Sequence, residues 1–368
     1  MKNITIYYGP KKGFEKELPY NNITLTELIS MKEYKKNLII LKSEDNDNYK
    51  KDYIENLVVY SEEYSGITES AIQNFISILN LYHIDNIYLQ NPPLQISNQL
   101  EKVFKSIIEI KNFKYKKLNK NIFLKINSTF SENIIGQEKV KDNILVALYN
   151  MMNSSNNKPL VIMMYGKSGV GKTETAKYIS KVMGQSLFRK QFSMFHSGEF
   201  SSYLFGGNNS QSCFAKELME RESNVILLDE FDKANPIFYS AFYQLFDEGI
   251  FEDKNYRVDL CNSIIICTSN YNSENEIRDH LGEPIFYRFN KFIRFNDLTN
   301  EALIILINKI VDEKYKKLKV SDKKIIDVRN IKKILCENVH KLNNSRQISN
   351  IVDDYIGKKL VDVFINTK

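Results

Sequence analysis

The 368-residue sequence has no tryptophan and is poor in cysteine, proline and glycine, with 4, 7 and 14 residues respectively. The cysteines form no C-x-x-C pair, which is typical of reduced thiols rather than of a disulfide framework. No apolar run approaches the roughly 18 residues of a membrane-spanning helix, and the first residues lack the apolar stretch of a signal peptide. These absences exclude secreted, transmembrane, collagen-like and disulfide-stabilised proteins, and they predict a cytoplasmic location.

Charge of one sign is not in large excess either, since 51 Lys and Arg face 45 Asp and Glu, a net charge of +6. This value is too small to indicate a nucleic-acid or membrane partner by itself. Hydrophobic residues make up 43% and charged residues 26%, which is typical of a globular protein with a sizeable core. The length predicts two or three domains.

The first part of the chain alternates short apolar strand patterns with helix patterns, which predicts a small α/β domain at residues 1–125. The expected strands are Ile4–Tyr8, Leu38–Lys42, Leu57–Tyr60, Ile87–Gln90 and Phe113–Lys117. The expected helices are Thr24–Glu33, Thr68–Tyr82 and Gln95–Ile110. A hinge near residues 120–130 separates this domain from the rest of the chain. We expect the N-terminal domain to recognise a partner or protein client.

A basic strip covers residues 111–125, where six lysines are interleaved with Phe113, Tyr115 and Phe123. One interpretation is a surface that touches nucleic acid. The other is an edge strand and linker whose lysines face solvent. The alternation of lysine with apolar residues favours the linker, and the nucleic-acid interpretation stays open.

The sequence LVIMMYGKSGVGKT at residues 160–173 is the most specific signal in the chain. An apolar strand pattern, Leu160–Tyr165, enters a G-x-x-x-x-G-K-T loop, and a helix pattern leaves it. Glycines let successive backbone N–H groups surround a phosphate at the helix N-terminus. The pattern therefore predicts a site for ATP and Mg²⁺, with Lys172 on the β- and γ-phosphates and Thr173 on the metal. The loop residues expected to bind the nucleotide are Gly166, Lys167, Ser168, Gly169, Val170, Gly171, Lys172 and Thr173.

A second apolar strand pattern, residues 225–228, runs into Asp229 and Glu230. A buried strand that ends in two carboxylates supplies what a phosphate-binding loop needs opposite it. We expect Asp229 to hold Mg²⁺ and Glu230 to act as the general base for the attacking water.

Residues 128–368 resemble the AAA+ module of the Clp family of ATP-driven protein unfoldases and disaggregases, particularly its second ATPase ring. The family motif D-E-φ-[DE]-K-A-[HN]-P, where φ is an apolar residue, occurs as DEFDKANP at residues 229–236. The family's T-S-N occurs at residues 268–270, and its φ-I-G-Q at residues 134–137. The resemblance implies a three-layer α/β/α P-loop core at 126–298 and a small helical lid at 299–368.

The resemblance also implies roles for single residues and for partners. Backbone groups of Ile134 and Ile135 would contact adenine, and Asn270 would be the first sensor. Arg288, in a shortened version of the family's P-E-F-L-N-R, would be an arginine finger acting on a neighbouring subunit, with Arg294 as the alternative. Arg346 would be the second sensor, although the family's Gly-Ala before it is Asn-Ser here. A finger in trans implies a ring of copies of this chain, which we expect to be a hexamer.

Two departures from the family limit the comparison. Tyr203, Leu204 and Phe205 in a Gly-, Asn- and Ser-rich segment match either the family's substrate-threading pore loop or the stretch before it, and exposed aromatics there slightly favour a pore loop. Only 13 residues, Tyr271–Glu283, lie where peptidase-docking relatives have a longer insertion, so we expect no ClpP-like peptidase to dock.

The resulting prediction is an ATP-hydrolysing ring that remodels protein clients. The alternative is a nucleic-acid-associated ATPase switch, such as a loader or a transposition or defence component.

Overall fold

The computed structural model describes residues 1–31, 51–194 and 197–366. These residues form two compact units that are not contiguous in sequence. The first contains residues 1–116, 195–224 and 237–261, and the second contains residues 117–194, 225–236 and 262–368. The predicted boundaries at residues 125 and 298 do not coincide with these units. The predicted strand Leu38–Lys42 lies outside the described residues.

The first unit is built on a five-stranded sheet in which all neighbouring strands are parallel. In spatial order its strands are Ile23–Thr24, Tyr53–Val59, His83–Gln90, Asn3–Tyr8 and Ile108–Asn112. The helices of this part are Lys11–Phe14, residues 25–31, Glu69–Gln73, Phe75–Leu79 and Leu94–Phe104. Alternating β-branched residues place Ile4 and Ile6 in a core that is closed to solvent. The predicted α/β character of this region is confirmed.

The last strand of this sheet is earlier in the sequence than predicted. Ile108–Asn112 pairs with Asn3–Tyr8, matching Ile108 with Ile4 and Ile110 with Ile6, and the preceding helix ends at Phe104. The predictions of a helix to Ile110 and a strand at Phe113–Lys117 are therefore wrong. The apolar spacing of residues 104–110 fits either a helix or a strand, and only pairing with the distant Asn3–Tyr8 decides between them.

The first unit also contains the segments 197–224 and 237–261. Their helices are Ser197–Phe205, Phe214–Met219 and Tyr243–Glu248, and Ile250–Glu252 pairs antiparallel with Arg257–Asp259. Glu220 anchors the first segment at the carboxyl ends of the parallel strands. Its Oε1 accepts from the side-chain amides of Gln90 and Asn91, both at 2.8 Å, and its Oε2 accepts from the backbone of Lys11 at 3.1 Å.

The second unit has its own five-stranded parallel sheet. In spatial order the strands are Lys291–Arg294, Leu160–Tyr165, Ile264–Ser269, Val225–Asp229 and Phe188–Gln191. The helices of this part are Lys120–Asn133, Glu138–Asn153, Lys172–Val182, Glu274–Leu281 and Glu283–Phe286. The two strands predicted from apolar runs, at residues 160–165 and 225–228, form as Leu160–Tyr165 and Val225–Asp229 and are buried along their whole length. Such runs are typical of parallel strands covered on both faces.

The C-terminal part of the second unit is helical and has a separate apolar core. Its helices are Asn300–Lys317, Val320–Lys323, Val328–Glu337 and Ser345–Asn366. The side chains of Thr299 and Asp327 cap the N-termini of two of them by accepting backbone N–H bonds. The predicted α/β fold with a helical C-terminal part is confirmed. Within the described ranges, no helix is both long and apolar enough to cross a membrane.

Candidate functional site

The loop between Leu160–Tyr165 and Lys172–Val182 depends on its glycines. Gly166, Gly169 and Gly171 all have positive φ angles, of 132°, 78° and 113°. A Cβ atom at Gly166 would lie 2.4 Å from the backbone oxygen of Phe295, so only glycine fits there without a shift. The loop therefore delivers the chain directly into the N-terminus of the helix, where backbone N–H groups are free to bind an anion.

Lys172, the first residue of that helix, turns its ammonium back over the loop. Its Nζ donates to the backbone oxygens of Gly166 at 2.5 Å and Lys167 at 2.7 Å, and to Oδ1 of Asn270 at 3.1 Å. The side chain is buried, and this desolvation lowers the pKa of Lys172 to about 8, although nearby Asp229 opposes the shift. Two predicted site residues, Lys172 and Asn270, thus meet at the loop.

Asp229 lies at the carboxyl end of its strand beside Thr173. The Thr173 hydroxyl lies 3.3 and 3.4 Å from the two carboxylate oxygens of Asp229, and the Thr268 hydroxyl donates to Oδ1 at 2.6 Å. Arg189 forms an ion pair with Oδ2 at 2.6 Å. A hydroxyl and a carboxylate are oxygen donors of the kind that Mg²⁺ prefers, so this pair fits a magnesium site.

Glu230 follows in the left-handed region of backbone conformation, with φ 54° and ψ 43°. Such a conformation is uncommon for a residue with a Cβ and often accompanies function. The backbone N–H of Glu230 donates to the Thr268 hydroxyl at 2.9 Å, and its carboxylate accepts from the Gln191 amide at 3.0 Å. The turn thus leaves the Glu230 carboxylate beside Gln191, next to the strand end that carries Asp229.

Gln137 ties the φ-I-G-Q segment to the loop. Its Nε2 donates to the backbone oxygens of Val170 at 3.2 Å and Asn296 at 2.9 Å. Ile134 is buried and Ile135 is half-buried. Gln137 is part of the φ-I-G-Q motif, but the resemblance implies only backbone contacts with adenine. The hydrogen bonds from the Gln137 side chain to the loop were therefore not predicted.

The helical C-terminal part reaches the loop through the start of its last helix. Nη1 of Arg346 donates to the Ser168 hydroxyl at 3.4 Å, and the Ser345 hydroxyl donates to the backbone oxygen of Gly169 at 3.2 Å. The predicted second-sensor arginine therefore lies at the phosphate-binding loop.

The predicted finger arginine follows the short helix Glu283–Phe286. Arg288 is half-buried, and its Nη1 donates to the backbone oxygen of Pro284. The alternative, Arg294, ends the strand Lys291–Arg294 and lies close enough to Tyr165 to oppose the rise of its pKa. The action of either residue on a second subunit remains a prediction.

The expectation of an exposed aromatic loop at residues 203–205 is wrong for two of the three residues. Tyr203 and Leu204 are buried in the helix Ser197–Phe205, and the Tyr203 hydroxyl donates to Glu217 at 2.7 Å. Burial raises the pKa of Tyr203 well above its usual value. Phe205 alone is exposed, by 41%. The helical pattern F-S-S-Y-L-F buries aromatic residues that loop composition suggested were free.

The expectation of an edge strand and linker holds for part of the basic strip, which begins in the edge strand Ile108–Asn112 and ends in the helix Lys120–Asn133. Residues 113–119 have no regular structure, and Phe113 packs on Tyr115 with 4.8 Å between ring centroids. The guanidinium of Arg221 lies 4.1 Å from the centre of the Tyr115 ring. Lys114 and Lys116 are exposed, but the neighbouring rings of Phe113 and Tyr115 are engaged in packing, so stacking on nucleic-acid bases loses its support.

Comparison with known proteins places the site in a family context. Residues 157–350 match the family model of the AAA domain (Cdc48 subfamily). The mitochondrial disaggregase of Homo sapiens is 33% identical over 168 residues, which cover 42% of this chain and 24% of that protein. The chaperone protein ClpB of Bacillus anthracis is 28% identical over 226 residues, which cover 52% of this chain and 26% of that protein. The chain therefore spans about a quarter of the length of these relatives.

A solved structure shares the fold. The closed state of Hsp104 with ATPγS and FITC-casein, determined by cryo-electron microscopy, superposes with a TM-score of 0.58 and 13% sequence identity. The superposition covers 99% of this chain and 89% of that one. At this identity the match supports the fold only.

Proposed function

This chain belongs to the AAA domain family (Cdc48 subfamily), as its Clp-like motifs predicted, and we propose that it binds and hydrolyses ATP. The observation that carries the proposal is the assembly of five groups within one unit: Lys172, Thr173, Asp229, Glu230 and Asn270. Hydrogen bonds link Lys172 to Asn270 and Thr173 to Asp229. These groups come from the three adjacent strand ends where a phosphate-binding loop faces its acids.

Each group has a separate role in this proposal. Lys172 neutralises the β- and γ-phosphates, and the backbone N–H groups of residues 166–173 surround them. Glu230 accepts a proton from the attacking water, and Asn270 orients that water or the γ-phosphate. Thr173 and Asp229 would hold Mg²⁺, which supplies neutralisation of charge on the phosphate oxygens when bound. Arg346 contacts the nucleotide from the helical part.

Nucleotide binding is tested with a matched pair of lysine variants in one helix. Lys177 lies five residues after Lys172, is exposed and pairs with Glu174 at 3.5 Å. We expect Lys172→Ala to weaken ADP binding by about 100-fold or more, because a buried cation beside the phosphates is lost, and Lys177→Ala to bind as the wild type does. Isothermal titration calorimetry measures both. Equal affinity of wild type and Lys172→Ala would place the nucleotide elsewhere.

We also propose that the chain acts as an oligomeric ring, expected to be a hexamer, that remodels protein clients. Similarity to disaggregases and to ClpB supports this proposal, as does the resemblance of the segment around Arg288 to the family's P-E-F-L-N-R. Threading by Tyr203 is not part of it, because that side chain is buried. The short segment between residues 271 and 283 supports the absence of a docked ClpP-like peptidase.

The ring is tested by light scattering on the Glu230→Gln chain with and without ATP·Mg²⁺. We expect a nucleotide-dependent rise to about six subunits, and we expect Arg288→Ala to reduce turnover when mixed with the wild type by more than dilution does. Arg278→Ala is the control, because Arg278 lies half-buried on the nearby helix Glu274–Leu281, beside Asp279. A chain that stays monomeric with ATP bound would contradict a finger acting in trans.

A further inference from the structure

The edge strand Phe188–Gln191 contacts both acidic residues of the candidate site. Alternate residues of a strand point to one face, so Arg189 and Gln191 lie on the same side. Arg189 donates to Oδ2 of Asp229 from both Nε, at 3.0 Å, and Nη2, at 2.6 Å. Gln191 donates to the carboxylate of Glu230 at 3.0 Å. One strand thus brings a cation to the first carboxylate and an amide to the second.

Both oxygens of Asp229 are engaged in this arrangement. Oδ1 accepts from the Thr268 hydroxyl at 2.6 Å, while Oδ2 accepts from Arg189. Asp229 is almost fully buried, whereas the Arg189 side chain is 41% exposed. The carboxylate is therefore fixed in place, and the guanidinium has access to solvent if it leaves.

A permanent cation at this carboxylate affects any second cation that uses it. A guanidinium keeps its charge at all accessible pH values, and it repels Mg²⁺ while it occupies the same oxygen. Lys172 lies at the same strand ends, where its Nζ donates to the backbone oxygens of Gly166 and Lys167. The site is thus electrostatically less favourable for magnesium than a free aspartate would be.

We propose that Arg189 competes with magnesium for Asp229 and so sets the magnesium concentration that nucleotide binding requires. Arg189 is a positioning residue here, because it acts through Asp229 and not on the nucleotide. The inference rests on the proposed nucleotide site and adds to it a residue for which none of the sequence motifs gave a role.

The test is the magnesium dependence of ADP binding to the full chain, measured by isothermal titration calorimetry over a series of MgCl₂ concentrations. ADP avoids turnover during the measurement. Arg189→Gln and Arg189→Met remove the charge and keep an unbranched stem of similar bulk, while Arg189→Lys keeps the charge. Arg257→Gln is the matched control, because Arg257 forms an exposed ion pair with Glu252 at 3.3 Å in the antiparallel pair of strands of the first unit.

The midpoint is the magnesium concentration that gives half of the magnesium-dependent gain in ADP affinity. We expect this midpoint to be roughly tenfold lower in both neutral variants than in the wild type, because a neighbouring positive charge is gone. The Lys variant and the Arg257→Gln control should stay within about twofold of the wild type. An unchanged or higher midpoint in the neutral variants overturns the proposal. So does a Lys variant that shifts as far as they do, or loss of folding in both neutral variants, detected by circular dichroism.

These outcomes are distinct from failure of the proposed function. A wild-type chain that binds no ADP at any magnesium concentration would contradict the nucleotide site itself. A wild type with magnesium-dependent binding and neutral variants without a shift would contradict only the role of Arg189.

Discussion

At the scale of single residues, the Lys172 ammonium is positioned at the phosphate-binding loop by hydrogen bonds. The ammonium is held by two backbone oxygens and one amide oxygen, and burial lowers its pKa to about 8. Between this value and the ordinary pKa of 10.5, the unfolded chain binds more protons than the folded one, so the free energy of unfolding contributed by Lys172 rises with pH. A phosphate group beside the ammonium would stabilise the charged form against this desolvation and so raise the pKa of Lys172.

Nucleotide binding is therefore expected to take up protons near pH 8. Part of the Lys172 population is neutral there, and phosphate binding converts it to the charged form, with an uptake of about half a proton. Titration calorimetry of ADP in two buffers with different ionisation enthalpies measures this uptake. Lys172→Arg carries a fixed charge and should abolish the lysine's contribution. Zero uptake by the wild type at pH 8 would contradict the assignment of Lys172 to the phosphates.

Glu230 combines two features that sequence alone did not show. Its backbone is left-handed, and its carboxylate is held by Gln191, a residue 39 positions away. The sequence did predict that this glutamate follows a buried strand and is the general base. Gln191 and Arg189 were not predicted, because no local pattern relates an edge strand to the acids of its neighbour.

Among the elements, the last helix of the C-terminal part is joined to the phosphate-binding loop. Backbone and hydroxyl groups of Ser345 both donate to the backbone oxygen of Gly169, and Asn344 packs where a Gly169 side chain would be. A Cβ at Gly169 would lie 2.9 Å from Cβ of Asn344 at a φ of 78°. This glycine therefore serves both the loop conformation and the contact with the helical part.

Two alanine substitutions of glycine should have opposite effects. Gly169→Ala should lower the free energy of unfolding by about 1–2 kcal/mol, because of its left-handed backbone and the contact with Asn344. Gly357 lies inside the helix Ser345–Asn366 with open space around it, so Gly357→Ala should raise that free energy by about 0.5–1 kcal/mol. Urea unfolding measures both. A Gly169→Ala chain as stable as the wild type would contradict the tight contact.

The elements themselves were predictable where the signal is local. The strand, loop and helix of residues 160–182 follow from an apolar run, glycines and a helical pattern next to one another. The strand Ile108–Asn112 was missed because its identity depends on pairing with residues 3–8. Tyr203 was misjudged for a similar reason, since its burial depends on Glu217 and on neighbouring aromatic rings.

At the scale of the whole molecule, the N-terminal α/β region is not a separate sequence module. Residues 197–224 and 237–261 belong to the same compact unit as residues 1–116. Glu220 occupies the carboxyl ends of the parallel strands, where open α/β sheets commonly bind their ligands. Asn209 similarly donates to Glu69 at 2.9 and 3.0 Å. A segment of the chain itself thus occupies this edge of the sheet.

This arrangement could not be read from the sequence, since Gln90 and Glu220 are 130 residues apart and neither belongs to a motif. The predicted contiguous domains followed composition and motif order. Composition and motif order do not indicate that the segments on either side of the acidic strand in the sequence belong to the first unit.

The central claim is that this site hydrolyses ATP, and steady-state phosphate release with ATP·Mg²⁺ tests it most directly. The wild type should release phosphate, while Glu230→Gln should bind ATP and lose about 100-fold or more in turnover, because the general base is gone. Glu222→Gln is the control, since Glu222 forms a surface pair with Lys12 at 2.7 Å. Turnover by Glu230→Gln at the wild-type rate, or none by the wild type, would contradict the account.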